Sequence, residues 1–335
     1  MKTQEVIGLK RNLHAGKKMS GGFSLNVFTD DELYEIHLAT LEVLQKTGLF
    51  VEDEEALEIF GGHGAIIDKQ RKIAKLPPYL VEDVIRAAPE KITLCGRNPK
   101  NDVVLESNRV CFTNFGEAIY VDDPYTGEHR TTTKQDVGDS ALLADYLDNI
   151  DVYERAVGAV DKPPQTLNIH NSHAILMNTT KHCFLGGGDR LSMAKIVEMA
   201  AAIVEGKDKL RERPIFSINV CPTSPLRLTL EYCQVAIDTM RIGVPLNIIS
   251  MAMSGGSAPI TLAGTLVVHN AEVLGTVVLS QLVRKGTPVI YGSSTTSMDL
   301  RLGTASVGCP ELGMISAAIA KLGQYYQLPT WVAGG

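Results

Sequence analysis

IFSINVC (residues 215–221), LNIISMAM (residues 246–253) and VIYGS (residues 289–293) are three apolar runs, each leading past small residues or proline into a longer helical pattern. Near-continuous apolar strands separated by helices are the mark of parallel strands covered on both faces. Similar runs on either side occupy residues 110–114, 155–160, 182–186 and 330–334. Helical patterns lie between them at residues 134–147, 165–178, 191–205, 225–241, 259–283 and 310–326. Repeated βα units of this length favour an α/β fold of the (β/α)8 TIM-like barrel type over a doubly wound sheet, which the same rhythm also permits. Residues 106–335 supply seven such units, so the barrel is expected to be incomplete at the C-terminus. Unpaired strand edges should then make an isolated chain of this length poorly soluble.

Upstream, DDELYEIHLATLEVLQKTG (residues 30–48) places Leu33, Ile36, Leu41 and Leu44 at helical spacing and stops at Gly48. Shorter helical segments follow at residues 54–60 and 79–88. KITLCG and DVVLES flank the Asn98-Pro99-Lys100-Asn101 turn as a hairpin. Residues 1–105 are expected to form an α+β N-terminal cap.

Composition narrows the function. Among 335 residues, 32 Lys and Arg oppose 38 Asp and Glu, a net charge of −6, without the basic clusters that nucleic-acid binding needs. No apolar stretch precedes Phe23, so neither a secretory signal nor an anchor is read there and the chain is expected to be cytosolic. Residues 260–283 are apolar but carry His269, Asn270, Glu272 and Gln281, which suits a buried helix better than a membrane span. Cys95, Cys111, Cys183, Cys221, Cys233 and Cys309 are widely spaced with no CxxC, which fits reduced thiols rather than a disulfide framework or zinc. His170 and His173 lack a partner motif, so no metal is expected. The expected strands hold no Lys for Schiff-base chemistry, and no GxSxG elbow occurs.

In a barrel the active site lies at the C-terminal ends of the strands. That places Asn114 and Phe115, Cys221, Met253, Ser254, Gly255 and Gly256, Tyr291, Ser293 and Ser294, and Gly334 and Gly335 around one pocket. The glycines of residues 255–256 either admit a ligand to the backbone or make a tight βα turn. Gly186-Gly187-Gly188 fits neither nucleotide motif. Thr261, Thr265, His269, Glu272, Thr276 and Ser280 share one helix face, a buried polar stripe or a subunit contact. The protein is expected to be a homo-oligomer.

The strings FSINVCPTSPL, LNIISMAMSGGSAPITLAGTLVVHNAEVLGTVVLSQL, VIYGSSTTSMDLRLGTASVGCPELGMISAAIAKL and LPTWVAGG closely resemble the trimethylamine methyltransferase family. The resemblance implies a barrel that moves a methyl group from a methylated amine to the Co(I) of a separate corrinoid protein. Cobalt then comes with the partner, and no tightly bound cofactor is needed. It also implies a chain continuing past the VAG motif, with pyrrolysine close behind it in the trimethylamine branch. Gly335 therefore has two readings: a stop at an unread amber codon, or the pyrrolysine-free branch whose substrate is glycine betaine. The first is favoured by the position of the stop. An unfinished barrel is also compatible with a catalytically inactive fragment or a docking module for the corrinoid protein, and the βα rhythm by itself with an unrelated barrel lyase. Glu272 and Glu311 are expected to balance charge or move a proton, and Tyr291 to face the cation.

Overall fold

The structure, a computed structural model, describes residues 18–19, 25–106, 109–114 and 116–334. Its centre is a parallel sheet of β1 (Val152–Glu154), β2 (His182–Gly186), β3 (Phe216–Val220), β4 (Leu246–Ser250), β5 (Val289–Ser293) and β6 (Thr330–Val332). The strands are neighbours in chain order with no reversal. A doubly wound sheet reverses at a switch point, so that topology is excluded. Same-handed crossovers in constant order put every helix on one face and leave the other as an interior, the arrangement of a curled α/β-barrel sheet.

Two strands depart most from the sequence expectation, and β4 also stops at Ser250, short of the expected Met253. The segment at residues 110–114 joins the sheet through a single parallel bridge, Thr113 to Val152. There the Asn114 side chain completes the ladder, accepting from the Glu154 amide at 2.9 Å and donating to the Glu154 carbonyl at 2.6 Å. The next strand ends at Glu154 and does not span residues 155–160. The apolar run AVGAV draws the expectation downstream, whereas the true strand, VYE, carries a charge on its interior position.

The helices α4 (Lys134–Tyr146), α5 (Leu167–Asn178), α6 (Arg190–Ile203), α7 (Lys207–Glu212), α8 (Leu230–Ile242), α9 (Leu262–Val283) and α10 (Pro310–Tyr325) connect the strands. Residue parity separates the two faces. Tyr153, Leu185, Ile218, Ile248 and Tyr291 join the main core with the helices. Val152, Phe184 and Ile290, of the opposite parity, cluster with Ile92, Leu94, Val103 and Leu105 of the expected hairpin, and Trp331 packs against them. The hairpin therefore plugs the interior from the N-terminal ends of the strands. Each such side chain contributes about 1.5–3 kcal/mol on burial. His182 fixes the plug: its Nδ1 meets the Cys95 carbonyl at 3.0 Å and its Nε2 the Ser217 hydroxyl at 2.7 Å. Burial lowers its pKa to about 4, so the ring is neutral, donating from Nδ1 and accepting at Nε2.

The N-terminal helices α1 (Asp30–Lys46), α2 (Glu54–Gly62) and α3 (Pro78–Ile85) pack on the outside of α9. A Thr29–Glu32 capping box starts α1. The loop after β3 reaches out to them, because Arg227–Leu228 pairs with Leu49–Val51. For that reason α8 begins at Leu230, capped by Thr229, rather than at Pro225. Covered on both sides, α9 is long and apolar enough to cross a membrane yet is mostly buried inside the protein.

Candidate active site

Glu154 ends β1 with its side chain on the interior face, beside Asn219 of β3 and Asn247 of β4. The Asn219 amide Nδ2 donates to Glu154 Oε1 at 3.0 Å, and Asn247 Nδ2 donates to Asn219 Oδ1 at 3.1 Å. Next to Asn247, β5 carries Gly292, where a Cβ would stand 2.5 Å from Asn247 Oδ1 and 2.7 Å from the Ile248 carbonyl. Only glycine leaves room for that amide.

Buried polar atoms almost always find partners. Here Glu154 Oε2, Asn247 Oδ1, Arg155 Nε and Trp331 Nε1 are buried and have none. Burial pushes the Glu154 carboxyl up to about 7, opposed by the Asn219 hydrogen bond. Arg155 is turned toward the Glu117 carboxylate and the Asn168 side-chain oxygen. A carboxyl titrating near neutrality with one oxygen unpartnered suits a small cation with an N–H to donate. A neutral hydrocarbon would leave that oxygen unpaired.

The remaining expected site residues fall in different places. Glu272 lies on the helix side of the sheet. Its Oε2 accepts from Ser250 Oγ at 2.6 Å and Ser224 Oγ at 2.9 Å, and its Oε1 accepts from the Leu226 amide at 2.9 Å. It ties the loop after β3 and the end of β4 to α9. Ser224 thus serves Glu272. Tyr291 is also on the helix side, fully buried, its hydroxyl donating to Asn270 Oδ1 at 2.7 Å. The stripe on α9 is a buried polar network: His269 meets Thr295 and Thr276 meets the Tyr232 hydroxyl. Glu311 is exposed in the first turn of α10, where a negative charge suits the helix dipole.

Cys221, just past β3, is an exposed residue, but the protein packed around its sulfur and the nearby Glu154 charge push the thiol up to about 11, which makes it a poor nucleophile at neutral pH. Met253–Ser254 pairs with Thr296–Asp299. The amide of Gly255 donates to the Ala258 carbonyl, and those of Gly256 and Ala258 to the Met253 carbonyl. The stretch is a self-satisfied tight turn. Ser293 is buried on the helix side, and the Ser294 amide donates to the Ser250 carbonyl. Gly334 is exposed beyond β6, while Phe115 and Gly335 lie outside the described residues. Gly187 explains part of the glycine run: a Cβ there would stand 2.4 Å from Val235, so strand and α8 approach too closely for a side chain. Among the described residues no group of three or more His, Cys, Asp or Glu is placed to hold a metal.

Glu154, Arg155, Asn219, Asn247 and Trp331 do not stand out in the apolar pattern from which the site was expected. A signal existed for the asparagines, since each is a lone amide inside an apolar strand, and for Trp331, the only tryptophan.

A parallel sheet curled in barrel fashion, with polar side chains inside at its strand ends, is the architecture of α/β-barrel enzymes. The sequence profile of the family described as trimethylamine methyltransferase matches residues 10–335. The chain is 53% identical to Trimethylamine methyltransferase MttB of Desulfitobacterium hafniense, over 98% of this chain and 66% of the relative. Identity to the protein of the same name from Methanosarcina thermophila is 44%, over 97% of this chain and 68% of the relative. A Glycine betaine methyltransferase of Desulfitobacterium hafniense is more distant, at 32% over 92% and 64%. The crystal structure of the Methanosarcina barkeri monomethylamine methyltransferase superposes with a TM-score of 0.51 at 13% identity, over 93% of this chain and 69% of that one, a likeness of fold alone. The chain belongs to the trimethylamine methyltransferase family, and it spans about two thirds of the length of these relatives.

Proposed function

We propose that this chain carries the amine site of a methyltransferase that passes a methyl group from trimethylamine to the Co(I) of a separate corrinoid protein, within a (β/α)8 barrel. One observation carries this reading: a buried Glu154 carboxyl with one oxygen unpartnered, on the interior face of the sheet. Trimethylamine is mainly the trimethylammonium cation at neutral pH. Ionised Glu154 pairs with that cation and accepts its N–H. The reduced cobalt attacks a methyl carbon, the C–N electron pair stays on nitrogen, and neutral dimethylamine leaves with its proton. A quaternary amine such as glycine betaine has no N–H for Glu154 and adds a carboxylate that an ionised Glu154 repels.

The test supplies the natural full-length protein with a reduced corrinoid protein and follows cobalt absorbance. Methylation with trimethylamine, and at least about tenfold slower methylation with glycine betaine, is the expected result; an unpaired buried charge costs on the order of 1–3 kcal/mol. The reverse preference assigns the chain to the betaine reading, which the more distant relative represents.

A further inference from the structure

We propose that Asn219 and Asn247 are positioning residues: a two-amide ladder across β3 and β4 holds one oxygen of Glu154 and thereby fixes the other toward the substrate. This rests on the reading of Glu154 as the group that meets the cation.

The direction of the ladder follows from its ends. Glu154 Oε1 takes the Asn219 N–H at 3.0 Å, so the Asn219 oxygen points the other way, to the Asn247 N–H at 3.1 Å. Asn247 cannot tilt toward β5 without its oxygen closing on the Gly292 backbone. Asn247 thus sets which end of the Asn219 amide faces Glu154: a rotated Asn219 would present its oxygen, an acceptor, to the carboxylate. The backbone of Glu154 is pinned independently, by the two hydrogen bonds to Asn114. With backbone and Oε1 both held, the carboxyl has one orientation, and Oε2 is the oxygen left without a partner. A donor to the ionised form also favours ionisation, and the Asn219 bond opposes the burial that raises Glu154. The ladder therefore acts on both the aim of the carboxylate and the pH at which it becomes available.

The test compares pH profiles of kcat/KM for trimethylamine-dependent corrinoid methylation in wild type, Asn219→Leu, Asn219→Ser, Asn247→Leu and Glu154→Gln. Serine is too short to reach Glu154, so it removes the same bond without adding apolar bulk and serves if the leucine variant does not fold. In wild type the profile rises through about 7 as Glu154 ionises. Both Asn219 variants are expected to move that limb upward by roughly one to two pH units, the equivalent of one hydrogen bond to a charged group. Asn247→Leu is expected to move it less but in the same direction, although Asn247 does not touch Glu154. A purely structural role would lower activity at every pH and leave the limb in place, and that outcome overturns the inference. If Glu154→Gln retains the wild-type limb, the reading of Glu154 itself fails. A flat Glu154→Gln profile with unmoved asparagine variants sinks the positioning role alone.

Discussion

Glu154→Gln is expected to lower kcat/KM for trimethylamine by about 10- to 100-fold, the cost of losing one hydrogen bond between charged groups. The same substitution is expected to stabilise the fold above neutral pH. The folded carboxyl titrates near 7, against an ordinary value near 4.5, so folding binds protons between those two pH values and stability falls as pH rises through them. Below 4.5 the group is neutral in both states and costs nothing. Above 7 the full cost is present, at most about 3 kcal/mol for a shift of this size. Denaturant titrations should show the variant matching wild type at pH 4 and exceeding it at pH 8. An active variant, or one less stable at pH 8, contradicts the assignment. Natural sites commonly accept such a cost where chemistry needs a buried charge.

The second large effect is on stability. Glu272→Ala removes the acceptor for two hydroxyls and one backbone amide and leaves a void on the sheet side of α9. Each stranded donor costs about 1–3 kcal/mol, and the cavity adds to that. A loss of roughly 4 kcal/mol or more is expected, read as a lower midpoint in thermal or denaturant unfolding. Glu272→Gln should lose far less. Burial already holds this carboxyl above its ordinary range, so replacing it with a neutral amide removes no favourable charge, and the serine hydroxyls can turn to meet the amide. Equal destabilisation by both variants would show that charge rather than hydrogen bonding is what Glu272 supplies.

These two glutamates show how much the sequence disclosed. The βα rhythm was legible because strands covered on both faces and their helices impose different apolar periods, and the hairpin was legible from its turn. The apolar pattern puts the barrel strand that carries Glu154 a few residues late, because a carboxylate inside a strand breaks the periodicity by which strands are found. Glu272 draws attention for the opposite reason: a carboxylate in a long apolar helix looks catalytic. Pattern alone does not say whether such a helix lies between the sheet and another layer. The three N-terminal helices covering α9 supply that second layer, and they make Glu272 and Tyr291 parts of a packed network. Face, not residue type, separates the structural carboxylate from the candidate catalytic one. That distinction needs strand register, which a single sequence does not provide.

Proton release on ligand binding is the sharpest check on the pairing of Glu154 with the amine. Calorimetry of trimethylamine binding to the natural full-length protein, repeated in buffers of different ionisation enthalpy, counts the protons exchanged. At pH 6 the ligand is a cation and Glu154 is mostly protonated. Pairing them should release close to one proton per site, falling toward zero at pH 8, with none released by Glu154→Gln at either pH. Binding at pH 6 without proton release, or with the same release in Glu154→Gln, would contradict the claim that Glu154 meets the amine.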